Sequence, residues 1–169
     1  MAVSELERIG EFDRSERITH QYEASDGALE LVDVDIDAPR WGQPGARSVR
    51  SYVDTWKPVL EGGGTLIGAF DEGRLVGFAI YDPCLAEGVA QLTALHVTKS
   101  HRRRSIGRLL TEDVVRSARA DGATRLYVSA TPTRGTVDFY VSRGFRPLAE
   151  PDERLLALEP DDIHMELEL

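Results

Sequence analysis

Leu95-His96-Val97-Thr98-Lys99-Ser100-His101-Arg102-Arg103-Arg104-Ser105-Ile106-Gly107-Arg108-Leu109-Leu110 is the stretch on which the reading of this chain turns. Residues 89–97 have strand character, 101–104 are cationic or can become so, and a helical pattern follows without a break. The loop therefore opens onto a helix N-terminus. The first N–H groups of a helix lack internal partners and carry the positive end of its dipole, so phosphate is a natural ligand there. Ser105 is a favoured N-cap type, Gly107 admits a closely approaching backbone, and Arg102, Arg103, Arg104 and Arg108 can add charge-assisted bonds. The local reading is a pyrophosphate cradle. A solvated basic helix start is the plainer alternative, and the stretch alone leaves it open.

Working downstream, Ile106, Leu109, Leu110, Val114 and Ala118 form one helical stripe that Gly122 stops. Residues 125–130 read as a strand, and Pro132 and Thr133 start a short helix with Val137, Phe139, Tyr140 and Val141 that ends at Gly144. A closing strand over 163–169 turns Ile163, Met165, Leu167 and Leu169 inward.

Upstream, residues 65–70 and 75–81 form a hairpin through Asp71-Glu72-Gly73-Arg74, and a reversal at Glu87-Gly88 leads into 89–97. The result is a meander that ends at the cradle. The glycine-rich 61–65 has no following Lys-Ser/Thr and precedes a strand, so it is a connector rather than a phosphate loop. Residues 48–60 predict an amphipathic helix carrying Val49, Tyr52, Val53 and Trp56, preceded by a loop over 39–45 that contains Trp41. Further back, the expectation is a short strand over 9–12, a helix capped by Asp13 or Ser15 that reaches Tyr22, and a closing turn at Gly27. Over 31–37, Val32, Val34 and Ile36 alternate with Asp33, Asp35 and Asp37, the period of a half-buried strand. A calcium loop begun at Asp33 would place Gly sixth and Glu twelfth, but Ala38 and Pro44 stand there, so no metal is expected.

At 169 residues, with 41% hydrophobic and 29% charged, the chain suits one globular domain with a full core. Its apolar runs are too short to span a membrane and its first residues lack a signal-peptide pattern, so no membrane contact and a cytoplasmic location are expected. A single cysteine, Cys84, excludes an internal disulfide and a multi-cysteine metal site. The net charge of −9 argues against broad nucleic-acid affinity and favours attraction of a small cationic substrate.

Leu95-His96-Val97 followed by Arg102-Arg103-Arg104-Ser105-Ile106-Gly107 resembles the coenzyme-binding motif of the GNAT superfamily of N-acetyltransferases, with Ser105 where the family usually has its first glycine. Residues 131–147 resemble the second signature of that family. Phe139-Tyr140 and Gly144-Phe145 match it, while Thr133 and Thr136 replace the usual Asn and Ala. The resemblance spans residues 65–169; the layout of 13–36 is similar to streptothricin-type acetyltransferases. It implies a single α/β (α+β type) GNAT-like domain, a mixed and mostly antiparallel central sheet flanked by helices. Residues 65–169 would form the coenzyme-binding core and 1–60 a variable acceptor-side region, with Trp41 and Trp56 near the loops that cover the acceptor.

The implied cosubstrate is acetyl-CoA, without a metal, held by Leu95, His96, Val97, Arg102, Arg103, Arg104, Ser105, Ile106, Gly107, Arg108 and Thr133. The implied reaction is direct acetyl transfer to a primary amine of a small molecule or peptide, the charge favouring a small cationic one. Backbone N–H groups around Val97 would steady the oxyanion and Tyr140 would protonate the departing thiolate. The general base stays open, with Glu87 and Asp82 at the turn taken to lie on the mouth side. His96 reads as a structural histidine, and Cys84 has no recognisable His partner for a covalent route. A coenzyme-binding sensor without catalysis is the alternative, to which the atypical Ser105 and Thr133 lend support. Nucleic-acid contact through the arginine run is disfavoured by the acidic total and the lack of interleaved aromatics. A homodimer is left open.

Overall fold

The computed structural model describes residues 1–169. In chain order its elements are a 3-10 helix (Val3–Glu11), β1 (Glu16–Ser25), β2 (Ala28–Ala38), α1 (Val49–Glu61), β3 (Thr65–Asp71), β4 (Arg74–Ala86) and β5 (Val89–Val97). After a 3-10 turn at Lys99–His101 come α2 (Ile106–Ala120), β6 (Arg125–Ala130), α3 (Arg134–Val141), β7 (Arg146–Pro147), α4 (Glu153–Leu158) and β8 (Ile163–Glu168). Six strands form one sheet in the order β3-β4-β5-β6-β8-β7, and β1-β2 form a separate antiparallel ribbon. Within the large sheet β5 and β6 are the parallel pair; every other pairing is antiparallel. This is the expected α/β architecture, a mixed sheet flanked by helices. None of those helices is long and apolar enough to cross a membrane.

Alternation along the strands sends side chains to two cores. Ala79, Ala90, Leu92, Leu126, Val128 and Met165 pack on Leu110, Val114 and Ala118 of α2 and on Val137 and Tyr140 of α3. On the other face Phe78, Ile80 and Ala94 meet Trp41, Val53, Trp56 and Leu60, together with Leu6, Ile9 and Phe12. Gly77 seats α2: a Cβ there would lie 2.7 Å from Cγ2 of Ile106, so only glycine lets the first turn of α2 rest on β4.

The N-terminal region departs from the sequence reading. Where a strand over 9–12 and a helix toward Tyr22 were expected, residues 3–11 are 3-10 helix and residues 16–25 are strand. Leu6, Ile9 and Phe12 recur every three residues, the 3-10 period, and all are almost fully buried. Ile18 and Tyr22 then pair with Ile36 and Leu31 of β2, so sheet pairing overrides the capping signals at Asp13 and Ser15. Leu109, assigned to the inner stripe of its helix, is 52% exposed; Ile106, Leu110, Val114 and Ala118 carry the packing.

Candidate active site

The two parallel strands part company. β5 pairs with β6 only at Val89, Ala90 and Gln91, opposite Arg125, Leu126 and Tyr127. Beyond that point β5 keeps β4 as its one partner through Val97, and β6 keeps β8 through Ala130. The facing edges of Leu92 to Val97 and Val128 to Ala130 are thus unpaired, leaving a wedge that opens toward the C-terminal ends of both strands. A β-bulge sits where the wedge begins, because Tyr81 pairs with Leu92 and Ile80 with Ala94, skipping Thr93. The hydroxyl of Thr93 is buried there without a hydrogen-bond partner.

The N-terminus of α2 stands at the open end. Arg103 and Ser105 both adopt the left-handed conformation, with φ of 63° and 64°. Ser105 makes no side-chain cap, so the expectation of an N-capping serine is corrected: it supplies the backbone shape that glycine normally gives. The first bond of the helix is Leu109 N–H to the Ser105 carbonyl at 3.0 Å, and the N–H groups of Arg103, Arg104 and Ser105 donate to no protein acceptor. Neither Arg103 nor Arg104 is paired to a carboxylate, while Arg108 turns along the helix to Glu112 at 2.8 Å. Open backbone donors with two unpaired guanidiniums are what a polyanion needs. Gly107 lies against Phe139 of α3, 3.5 Å from its would-be Cβ, and against Val97 of β5, so strand and both helices converge.

α3 enters this junction closed. Thr133 is extended, and its Oγ1 accepts from Thr136 N–H. About two helical turns after Thr133, Tyr140 is 4% exposed, with the rings of Phe139 and Phe145 both 5.2 Å away. Its hydroxyl bonds to no protein atom and is not among the sealed polar atoms. Burial, and after it the charge of Asp162, pushes the phenol well above its ordinary value, so it stays protonated.

The ribbon bridges the mouth. Arg102 bonds Glu16 at 2.7 Å and the Val97 and Arg14 carbonyls at 3.4 Å, turning toward the ribbon instead of joining Arg103 and Arg104. At the other end Tyr22 N–H donates to the Pro132 carbonyl at 2.8 Å and its phenol to Asp138 at 2.9 Å. The acidic face of β2 is solvated, as expected, with Arg17 bonded to Asp35 and Asp37. Of the strand residues, Leu95 packs toward the α2–α3 core and Val97 meets Gly107. His96 points the other way, between Trp41 at 4.9 Å, Phe78 at 5.3 Å and Trp56 at 5.9 Å. Burial, helped by Arg14 and Arg102, lowers it to about 3, so the imidazole is neutral. Only its backbone can serve a ligand in the wedge.

Glu87 and Asp82 are corrected. They lie beside Val89 and Gln91, where β5 and β6 are still paired, at the closed end of the wedge and not at its mouth. Cys84 is exposed, with its backbone N–H bonded to Asp82 at 3.0 Å and no His near it. The sequence reading also passed over Asp162, which lines a cavity of about 610 Å³ between the ribbon and the segment before β8. An acidic pair just ahead of an alternating strand was its one signal.

A family model described as the acetyltransferase (GNAT) family matches residues 30–145. No curated protein sequence matches the chain significantly. Nourseothricin acetyltransferase is similar in structure with a TM-score of 0.73 at 18% identity, over 99% of this chain and 95% of that one. The PaiA N-acetyltransferase of Thermoplasma acidophilum, bound to coenzyme A, gives 0.60 at 17% identity over 100% and 96%. An aminoglycoside 6'-N-acetyltransferase, also bound to coenzyme A, gives 0.56 at 19% over 70% and 79%. These likenesses concern the fold.

Proposed function

The chain belongs to the GNAT acetyltransferase family, and from that premise we propose that it transfers the acetyl group of acetyl-CoA directly to a primary amine of a small cationic molecule. The observation that carries the reading is the wedge between β5 and β6 with the uncapped N-terminus of α2 at its mouth. The residues present fit the coenzyme. The free N–H groups of Arg103, Arg104 and Ser105, the side chains of Arg103 and Arg104, and the close approach at Gly107 would hold its pyrophosphate, while the open edge around Leu95 to Val97 would receive its extended arm. Acetyl-CoA supplies a thioester that an amine can cleave. Backbone N–H groups on the open edge of β5 steady the developing oxyanion, and Tyr140, held protonated by burial, gives its proton to the leaving sulfur.

Two observations support a cationic acceptor: the net charge is −9, and the cavity beside the ribbon carries Glu23, Asp26, Asp161 and Asp162 without Lys or Arg. An amine acceptor is supported by two similar structures that bear the names of N-acetyltransferases. The test is thiol release from acetyl-CoA with spermidine, kanamycin and a peptide bearing a free N-terminus. Turnover of a polycation above the peptide is the expected result. Acetyl-CoA binding without thiol release from any acceptor would favour the sensor reading instead.

A further inference from the structure

An acceptor amine arrives at neutral pH as an ammonium ion, so a proton must leave before the carbon–nitrogen bond forms. Glu87 and Asp82 lie at the closed end of the wedge, and His96 holds a proton too weakly at about 3. Asp162 is placed differently. It directly precedes β8, whose first residue, Ile163, pairs with Ala130, the last residue of β6, so it stands level with the open end of the wedge, on the β8 side of β6. It lines the 610 Å³ cavity, a volume suited to a small molecule, with Tyr22 of the ribbon and Pro132 ahead of α3. No protein donor bonds its carboxylate, and after burial its charge helps to raise the Tyr140 phenol.

We propose that Asp162 is a catalytic residue, the carboxylate that takes the proton from the acceptor's ammonium while the cavity holds the remainder of a small polycation. The proposal rests on the acetyl-transfer reading above and deepens it. The ammonium gives one proton to the Asp162 carboxylate, leaving a free amine. The nitrogen lone pair forms the bond to the acetyl carbon, and the carbon–sulfur bond breaks with its electron pair on sulfur. Tyr140 protonates that sulfur and recovers a proton from the new amide nitrogen through water. Asp162 then releases its proton to solvent, so one amide, one thiol and one proton are formed.

The surroundings suit that role. Burial foremost, then Glu159 and Asp161, raises Asp162 to about 7, where at neutral pH about half of the base is free and it is strong enough to take the proton. From the other packed elements the facing groups are Tyr140 on α3, Glu23 and Asp26 on the ribbon side, and His164 on β8. His164 has both ring nitrogens engaged, with the Tyr127 hydroxyl at 2.8 Å and the Glu159 carbonyl at 3.1 Å. No cation offsets the carboxylates, so an ammonium is the missing counter-charge. Because the folded value lies above the ordinary 3.8, the stability this group contributes is complete below that pH and is lost as pH rises through 7.

The test uses the full chain with two readouts. In carbon-13 carboxyl NMR, Asp162 should titrate near neutrality, and spermidine should lower its midpoint. In acetylation of spermidine, wild-type kcat/KM should rise with pH through an inflection near 7. Asp162→Asn should lose that limb and about 10²–10³-fold of rate, with Asp162→Glu restoring part of both. Between pH 4 and 7 the wild type should lose stability relative to Asp162→Asn, which reports that the variant is folded. A titration in the ordinary carboxylate range, a midpoint that spermidine leaves unchanged, or an Asn variant within about twofold of wild type would each overturn the proposal. Failure of the wild type to acetylate any amine would overturn the acetyl-transfer reading, and the titration would still decide whether Asp162 binds an ammonium.

Discussion

The helices α2 and α3 present their N-termini to the same junction, and they end in opposite ways. Before α2 the chain passes through Arg103 and Ser105 in left-handed backbone, no side chain caps the helix, and the N–H groups of residues 103–105 find no protein acceptor. Before α3, Thr133 is extended and 7% exposed; its Oγ1 lies 3.3 Å from Thr136 N and 2.9 Å from the Thr136 hydroxyl. An open terminus holds strain and unspent donors that a ligand can satisfy, whereas a capped one is an anchor. Ser105 and Thr133 both replace residues usual in the family, and the structure gives the two replacements different meanings. The first preserves a binding geometry; the second preserves the seating of the helix that carries Tyr140.

If α3 serves chemistry through Tyr140 and not through its terminus, Tyr140→Phe should have the largest effect of any change at the junction. The ring packing between Phe139 and Phe145 survives removal of the hydroxyl, so folding and coenzyme affinity should stay as they are. A general acid contributes about 10²–10⁴-fold, and the loss should fall in kcat and not in KM. Steady-state kinetics at saturating acetyl-CoA reads this. Turnover within about twofold of wild type would make Tyr140 a packing residue and would return α3 to a purely structural role.

The open terminus is tested by its cations. Replacing Arg103 and Arg104 together with Ala should weaken acetyl-CoA binding by about 1–3 kcal/mol, because both are unpaired and free to bond phosphate. Arg102→Ala should behave otherwise. Its guanidinium ties Glu16 and the Arg14 carbonyl to the end of β5, so its loss should loosen the ribbon and raise the acceptor KM more than it weakens the coenzyme. Calorimetry with acetyl-CoA separates the two; equal losses of affinity would mean that all three arginines face the ligand.

How much of this was legible in the sequence depends on the range of the interactions involved. The meander, the strand–loop–helix at 95–110 and the Phe139-Tyr140 helix follow from local periodicity and turn chemistry, and they fold as read. The first twenty-five residues do not, because 16–25 becomes a strand only by pairing with 28–38 and by tying Tyr22 to Pro132, contacts that no local window contains, whereas 31–37 folds as the strand its alternation predicts. The direction of the arginines was illegible for the same reason: Arg102 is claimed by Glu16, 86 residues away. Glu87 was misjudged because the mouth of the wedge is set by where β5 and β6 stop pairing, which follows from the register of β6 and β8. Asp162 was passed over because carboxylates ahead of a strand are ordinarily solvated, and only the fold encloses this one.

The anchor is tested by Thr133→Ala. Removing an N-cap hydroxyl costs about 1 kcal/mol, so thermal or denaturant unfolding should show a loss of that size. Coenzyme affinity should be unchanged, because this hydroxyl is committed to Thr136. A variant of unchanged stability with weakened binding would turn Thr133 into a ligand and erase the contrast between the two termini.

The smallest expected effect sharpens the comparison most. Ser105 sits at φ 64°, a conformation that disfavours a residue with a Cβ by about 1–2 kcal/mol. Its hydroxyl makes no hydrogen bond, so Ser105→Gly removes no contact. Glycine also gains freedom in the unfolded chain, which offsets about 0.4–1 kcal/mol of the relief. The net expectation is a stabilisation of about 0.5 kcal/mol, with acetyl-CoA affinity held, because the N–H groups that face the ligand already have the required directions. Ser105→Ala supplies the control: it keeps the Cβ and the strain while deleting the hydroxyl, so its stability should match wild type. Ser105→Val should be clearly destabilised, since a β-branched residue tolerates positive φ least. The order Gly, then Ser with Ala, then Val in denaturant midpoints would establish that the backbone is what this position contributes. If instead Ala lost affinity for acetyl-CoA while Gly lost it equally, the hydroxyl itself would be a ligand, and the open terminus of α2 would hold its polyanion by a side chain as well as by its strained backbone.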